Sequence, residues 1–499
     1  MDMGYLAILI PLPLLAMALA VPVVARVRSG AAFPLSLAAS VASTAASVLA
    51  LAAVLEGGPL SYALGGWAPP VGIEYVVDHV AAFVAVVVTS VSTLVIIGTR
   101  RWAIREVGDR LGPFYGLVLL LLAGLSGMVV TGDLFNLFVF LEISSLAAYA
   151  LVFMGGRAGM VAGFRYLMLG TIGGALYLLG VGYLYFATGT LNMADVARIL
   201  EADSSGRAVA AGAVLIFTGL GIKMALVPLH LWLPDAYTYA PSSVNTLIAP
   251  VMTKVGAYAM LRMFLSVFPD GYLRDAVPVA DALLVLGLAG IVLGSVAAMV
   301  QTDIRRMLAY SSVANLAMIA VGLGIGTPLA LVAALLHIMN HAVMKAALFS
   351  SAASVRLATG FSAVGDVAGL GRRMPLTMAA FTLGAVSMIG IPPTAGFFSK
   401  WYMAQAGVAE GQWLVVVVVL GSSLMTAVYM FRVLERAYLH PQAPVVAGVA
   451  GAAPDAPGVP GAAESPADVV WPMMVLAAAT VVLGVANVVI VTHVLEPGV

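Results

Sequence analysis

An all-α, polytopic membrane fold of about fourteen spanning helices is predicted by three features of this 499-residue chain. First, it is 62% hydrophobic and only 9% charged, whereas a soluble domain is nearer a quarter charged. Second, runs such as "PFYGLVLLLLAGLSGMVV" and "AFVAVVVTSVSTLVIIG" recur along the chain, close to the ~20 apolar residues that cross a bilayer as a helix. Third, arginine gathers in every second break between these runs, as it does on the cytoplasmic side of membrane proteins.

In order, the spans begin near residues 4, 32, 79, 113, 134, 163, 208, 240, 276, 305, 328, 375, 412 and 470. The opening stretch, "MDMGYLAILIPLPLLAMALAVPVVARVRSG", shows no basic leader and no small-residue cleavage site, so it reads as a first span and not as a removed signal. Residues 1–110 form an N-terminal segment of three helices. Residues 111–268 and 272–437 hold five spans each, and an odd number of crossings inverts the second group relative to the first. Residues 438–499 carry a flexible Ala-, Gly- and Pro-rich linker, 440–470, and one last helix, read as a loosely tethered appendage. Of the 23 basic residues four are lysines, and fifteen of the nineteen arginines follow odd-numbered spans, including Arg26, Arg100, Arg157, Arg165, Arg305, Arg356 and Arg432. Those loops are expected in the cytoplasm and both termini outside.

The lysines break this rule. All four, Lys223, Lys254, Lys345 and Lys400, fall within or at the edge of a span, where a lysine costs a few kcal/mol. A desolvated lysine can exchange its proton, whereas arginine stays charged. High-GC codon usage with lysines snorkelling to the interface accounts for their scarcity but poorly for their placement. Among the carboxylates Glu142, in "LFNLFVFLEISSLAAYALVF", lies deepest in an apolar run. Beside a lysine it can stay ionised; alone it takes up a proton. A purely structural ion pair between two helices is the alternative.

Two segments look interrupted. Lys223 precedes Pro228, Pro234 and Pro241, and Pro392 and Pro393 precede Lys400; proline removes a backbone donor and clashes with the preceding turn. Broken helices at matching places in two halves point to inverted repeats. In "HIMNHAVMKAALF" His337, His341 and Lys345 recur every four residues, which lines one helix face over about 12 Å. These groups could bind protons in series, or the histidines could be core residues satisfied by backbone carbonyls. The H-x-x-x-H spacing resembles half a zinc site, but Ile338 stands where a metalloprotease needs glutamate. His230 is an orienting or structural candidate. "GLGIGTP" lacks the strand a dinucleotide loop requires. Zero net charge gives no reason to expect nucleic acid, and the absence of cysteine removes disulfides, cysteine zinc sites and thiolate-bound iron–sulfur clusters. No cofactor or metal is expected.

Five stretches together, "TGDLFNLFVFLEISSLAAYAL", "FTGLGIKMALVPLHLWLPDAYTYAPSSVNTLIAPVMTKVGAYAM", "DIRRMLAYSSVANLAMIAVG", "HIMNHAVMKAALF" and "IGIPPTAGFFSKWY", resemble the antiporter-like subunits shared by Mrp-type Na⁺/H⁺ antiporters, respiratory complex I and membrane-bound hydrogenases. The resemblance covers roughly residues 110–437. It implies fourteen helices, two inverted five-helix repeats each with a broken helix, and a polar axis along the membrane plane. It also implies that Glu142, Lys223, Lys254, His337, His341, Lys345 and Lys400 form a proton relay. The length, Lys400 and the plain C-terminus look most like the D subunit of an Mrp antiporter in the cell (inner) membrane, with other subunits, protons, Na⁺ and the lipid bilayer as partners. A proton-pumping subunit of a redox complex has the same core and is the alternative, as is a stand-alone solute transporter.

Overall fold

The computed structural model describes residues 3–360, 362–441 and 464–499; most of the expected linker, 442–463, lies outside them. Seventeen helices of seven residues or more occur among the described residues. Six come first: α1 (Tyr5–Val27), α2 (Ala32–Gly57), α3 (His79–Val107), α4 (Leu111–Val130), α5 (Leu134–Phe153) and α6 (Gly156–Thr188). A short α7 (Met193–Ala202) precedes α8 (Arg207–Lys223), α9 (Leu233–Tyr239) and α10 (Ser242–Ser266). There follow α11 (Val279–Met299), α12 (Ile304–Ile325), α13 (Pro328–Thr359) and α14 (Pro375–Ile389). The last are α15 (Ala395–Ala409), α16 (Trp413–Leu439) and α17 (Ala467–Val485).

Eleven stretches are long and apolar enough to cross a membrane. One of them, 79–130, is two helices, α3 and α4. Two more rods, α8–α9 and α14–α15, are interrupted, so the described residues hold fourteen rods in all, as the hydrophobic pattern predicts. The sixth starts at Gly156 and not near 163. Arg157 and Arg165, read as loop residues, lie in its first turns, and Arg165 pairs with Asp235 at 2.9 Å. Asp235 also takes Arg306 at 3.1 Å, which ties α6, α9 and α12 together.

Ordinary end signals set the boundaries. Asp78, Asp133, Asn192 and Asp303 cap α3, α5, α7 and α12, each side chain accepting a backbone N–H. Missed by the sequence pattern are α7, held by buried Met193, Val196 and Leu200, and a two-stranded hairpin, β1 (Leu60–Ala63) against β2 (Glu74–Val77).

Helices α10, α12 and α13 form the centre. In each, 94% of the spanning window is buried, against 33% for α1 and α16. The last helix is not a loose appendage, because α17 packs against α3, α13, α14 and α15. Its Asp468 pairs with Arg101 at 2.7 Å. A Cβ on Gly484 would lie 2.0 Å from the Pro393 carbonyl oxygen, an approach only glycine permits.

Asp78 also locks α3 to α10. Its carboxylate receives Arg262 at 2.5 and 2.9 Å, while Tyr258 donates to the Val129 carbonyl at 2.8 Å. Burial pushes the Asp78 carboxyl up, but the Arg262 charge, its hydrogen bond and the Ala81 N–H together hold it below its usual range. A depressed carboxyl stabilises the fold above its unfolded value, and that contribution is lost as pH falls through the folded one. Melting temperature in detergent should therefore fall below about pH 4. Asp78→Ala should cost about 3 kcal/mol at neutral pH and remove this part of the acid sensitivity.

Candidate functional site

The interrupted rods place two of the four lysines. Helix α8 ends at Lys223, after which Ala225 adopts a positive φ of 62° and Pro228 blocks continuation. The Trp232 indole N–H donates to the Ile222 carbonyl at 2.9 Å, capping the broken end. Lys223 Nζ then reaches α5, donating to Ser145 Oγ at 2.8 Å, to Glu142 Oε1 at 3.3 Å and to the Tyr149 hydroxyl at 3.3 Å. At 3.3 Å and an effective dielectric near 20, the charges attract by about 5 kcal/mol, much of it offset by desolvation. Glu142 is less deeply placed than its apolar surroundings suggest, with 23% of its side chain exposed. Room for the carboxylate comes from Gly174 of α6, where a Cβ would sit 2.2 Å from Oε1. Gly174→Ala should push Glu142 off Lys223 and cut transport severalfold while assembly persists; vesicle transport per assembled complex measures this, and an unchanged rate would show that the pair tolerates displacement.

The second rod breaks at Gly390, in the left-handed region at φ 91°, and resumes at α15. Sequence order puts Lys400 after its prolines and Lys223 before its own. Nevertheless Lys400 turns back to the broken end: Nζ donates to the carbonyls of Met388 at 2.9 Å and Ile389 at 3.1 Å, and to Ser423 Oγ at 3.1 Å. A helix C-terminus exposes unpaired carbonyls and the negative end of the dipole, which suits an ammonium.

Between them lie Lys254 on α10 and the ladder on α13, all almost fully buried. Lys254 Nζ donates to the Ala249 carbonyl at 2.6 Å. Lys345 Nζ donates to the Leu308 carbonyl at 2.6 Å and to Ser311 Oγ at 2.5 Å on α12. The rings of His337 and His341 stack with centroids 5.7 Å apart. His337 Nδ1 shares a hydrogen bond with Ser399 Oγ at 2.9 Å. Neither nitrogen of His341 has a partner among the described residues, so backbone carbonyls do not satisfy it.

The seven predicted residues therefore form two groups. Glu142 and Lys223 pair with each other; in the second group the His337 and His341 rings stack, and Lys254, Lys345 and Lys400 each bond carbonyls or serines, without a carboxylate ion pair among the described residues. Helix α10 joins the groups, since Gly256, two residues past Lys254, packs against the Lys223 backbone. His230 is half-buried in the connection between α8 and α9. Sequence reasoning missed Ser145 and Tyr149, although their spacing from Glu142, three and seven residues, puts them on its helix face. Ser311, Ser399, Ser423 and Trp232 come from other elements and carried no such signal.

A helical membrane protein with a buried line of ionisable groups across two broken rods is the class this architecture defines. The chain belongs to the family described as NADH:quinone oxidoreductase/Mrp antiporter, TM, whose model matches residues 131–426. It is 47% identical over 464 residues to the N subunit of NADH-quinone oxidoreductase from Desulforudis audaxviator, covering 92% of this chain and 91% of that one. It is 30% identical over 407 residues to the D subunit of the Na(+)/H(+) antiporter from Bacillus subtilis, covering 81% of each. Its fold superposes on a chain of the Mrp complex from Dietzia sp. DQ12-45-1b with a TM-score of 0.88 at 26% identity, covering 99% of this chain and 96% of that one.

Proposed function

We propose that this chain is the proton-translocating subunit of a multisubunit cation/proton antiporter of the Mrp type in the cell membrane, and that it is an ion-transporter subunit and not itself an enzyme. The observation that carries the reading is the Glu142–Lys223 pair at the end of a broken helix, with a second lysine at the other break. Glu142 stabilises protonated Lys223. When the pair opens, the ammonium loses its counter-charge and passes its proton by way of Lys254 to the His337–His341–Lys345 ladder and on to Lys400. These groups titrate together, so the proton belongs to the set. The five rods before residue 268 and the five after 272 act as inverted repeats, with both termini outside as the arginine bias requires. Partner subunits complete the path for Na⁺.

A second reading, a proton-pumping subunit of a redox-driven complex, is favoured by the 47% identity to a chain named as the N subunit of NADH-quinone oxidoreductase. Inside-out vesicles holding the whole complex, given a pH gradient and no electron donor, separate the two. Collapse of the gradient on adding Na⁺ supports the antiporter. A response only after an electron donor is supplied supports the redox-driven complex.

A further inference from the structure

Five buried aromatic rings run in continuous contact from Lys223 to Lys345. Tyr149, whose hydroxyl receives Lys223 Nζ, meets Tyr166 of α6 edge-on at 4.4 Å and 88°. Tyr166 stacks on Trp232 at 4.1 Å with the planes 8° apart. Trp232 meets Tyr237 of α9 at 6.4 Å, and Tyr237 meets Phe349 of α13 at 6.1 Å. Phe349 lies one helical turn past Lys345, whose Nζ is 5.9 Å from its ring centre. The column also leans on the turn of α10 that holds Lys254. The Tyr166 hydroxyl contacts Met252 Sδ at 3.0 Å and the Tyr237 hydroxyl donates to the Ile248 carbonyl at 3.5 Å; these residues flank Ala249, whose carbonyl takes Lys254.

Aromatic pairs fill many cores, but this column meets an ammonium at each end, and the backbone of the residue before Lys223 is capped by its middle ring. We propose that the column Tyr149–Tyr166–Trp232–Tyr237–Phe349 is a positioning element that couples the Glu142–Lys223 pair to Lys345, with Trp232 as its hub. This rests on the relay reading. The rings carry no proton. Dense packing does not yield locally, so departure of Lys223 from Glu142 moves Tyr149 and is felt at Phe349, and the two groups of ionisable residues change state together.

The test is a double-mutant cycle on the intact complex in inside-out vesicles, with antiport normalised to assembled complex. Trp232→Leu and Phe349→Leu should each slow antiport by roughly 2- to 30-fold and shift the pH of half-maximal rate. The double variant should be little slower than the worse single one, although Tyr237 separates the two rings. Phe349→Tyr, which keeps the ring, should restore the wild-type rate and pH profile. Losses that multiply, with an unmoved pH profile, overturn the proposal. If Trp232→Leu does not assemble, Tyr166→Leu takes its place in the cycle. Failure of the relay itself is seen separately, as wild-type antiport in Lys223→Ala.

Discussion

Lys223→Ala is expected to abolish proton transport while the complex still assembles. Truncation removes the donor that Ser145, Tyr149 and Glu142 share and leaves the Glu142 carboxylate without its cation. That carboxylate is part-exposed, so it can recover hydration or take up a proton, and the cost to the fold should stay below the 3–5 kcal/mol of a fully buried broken pair. Function has no such escape, because no other lysine lies on α8. Loss of the Na⁺-driven pH response in vesicles, with normal amounts of complex on a native gel, is the expected result. A normal response in Lys223→Ala would sink the relay.

Lys400 permits a sharper separation of chemistry from structure. Its ammonium caps two carbonyls at the end of α14 and bonds Ser423, so Lys400→Ala combines a lost charge with unpaired polar groups. Each such buried group costs about 1–3 kcal/mol. Lys400→Arg keeps the cation and the donors but does not release a proton in a protein. If Lys400 carries protons, the arginine variant assembles as wild type does and transports at the background rate. If Lys400 only caps the helix, the arginine variant transports normally and the alanine variant alone fails. Vesicle transport per assembled complex, measured for both, decides between these roles.

Both predictions start from residues that stand out in the chain itself. Four lysines confined to the spans, a glutamate inside an apolar run and prolines beside two of the lysines are visible without coordinates. Their visibility has one physical cause: lipid penalises a charge or an unpaired backbone group so heavily that each exception is conspicuous. The same penalty makes the rods legible from hydrophobic runs and explains why errors fell at polar ends. Arg157 and Arg165 read as loop because sequence does not reveal a helix whose first turns carry charges, nor that Arg165 meets Asp235 of another element.

What the sequence by itself determined is therefore the number of rods, the two breaks and the identity of the ionisable groups, since these follow from each residue's free energy in lipid or from local backbone chemistry. Only the tertiary structure decided who meets whom. That Lys223 meets Glu142 and Lys400 meets helix-end carbonyls, that neither ring nitrogen of His341 finds a hydrogen-bond partner among the described residues, and that α17 wedges against the second break depend on how distant elements pack. So does the aromatic column between the two groups, whose rings come from α5, α6, α9, α13 and the α8–α9 connection. Periodicity along a chain reports which face of a helix is apolar, and it carries no information on which other helix that face will meet.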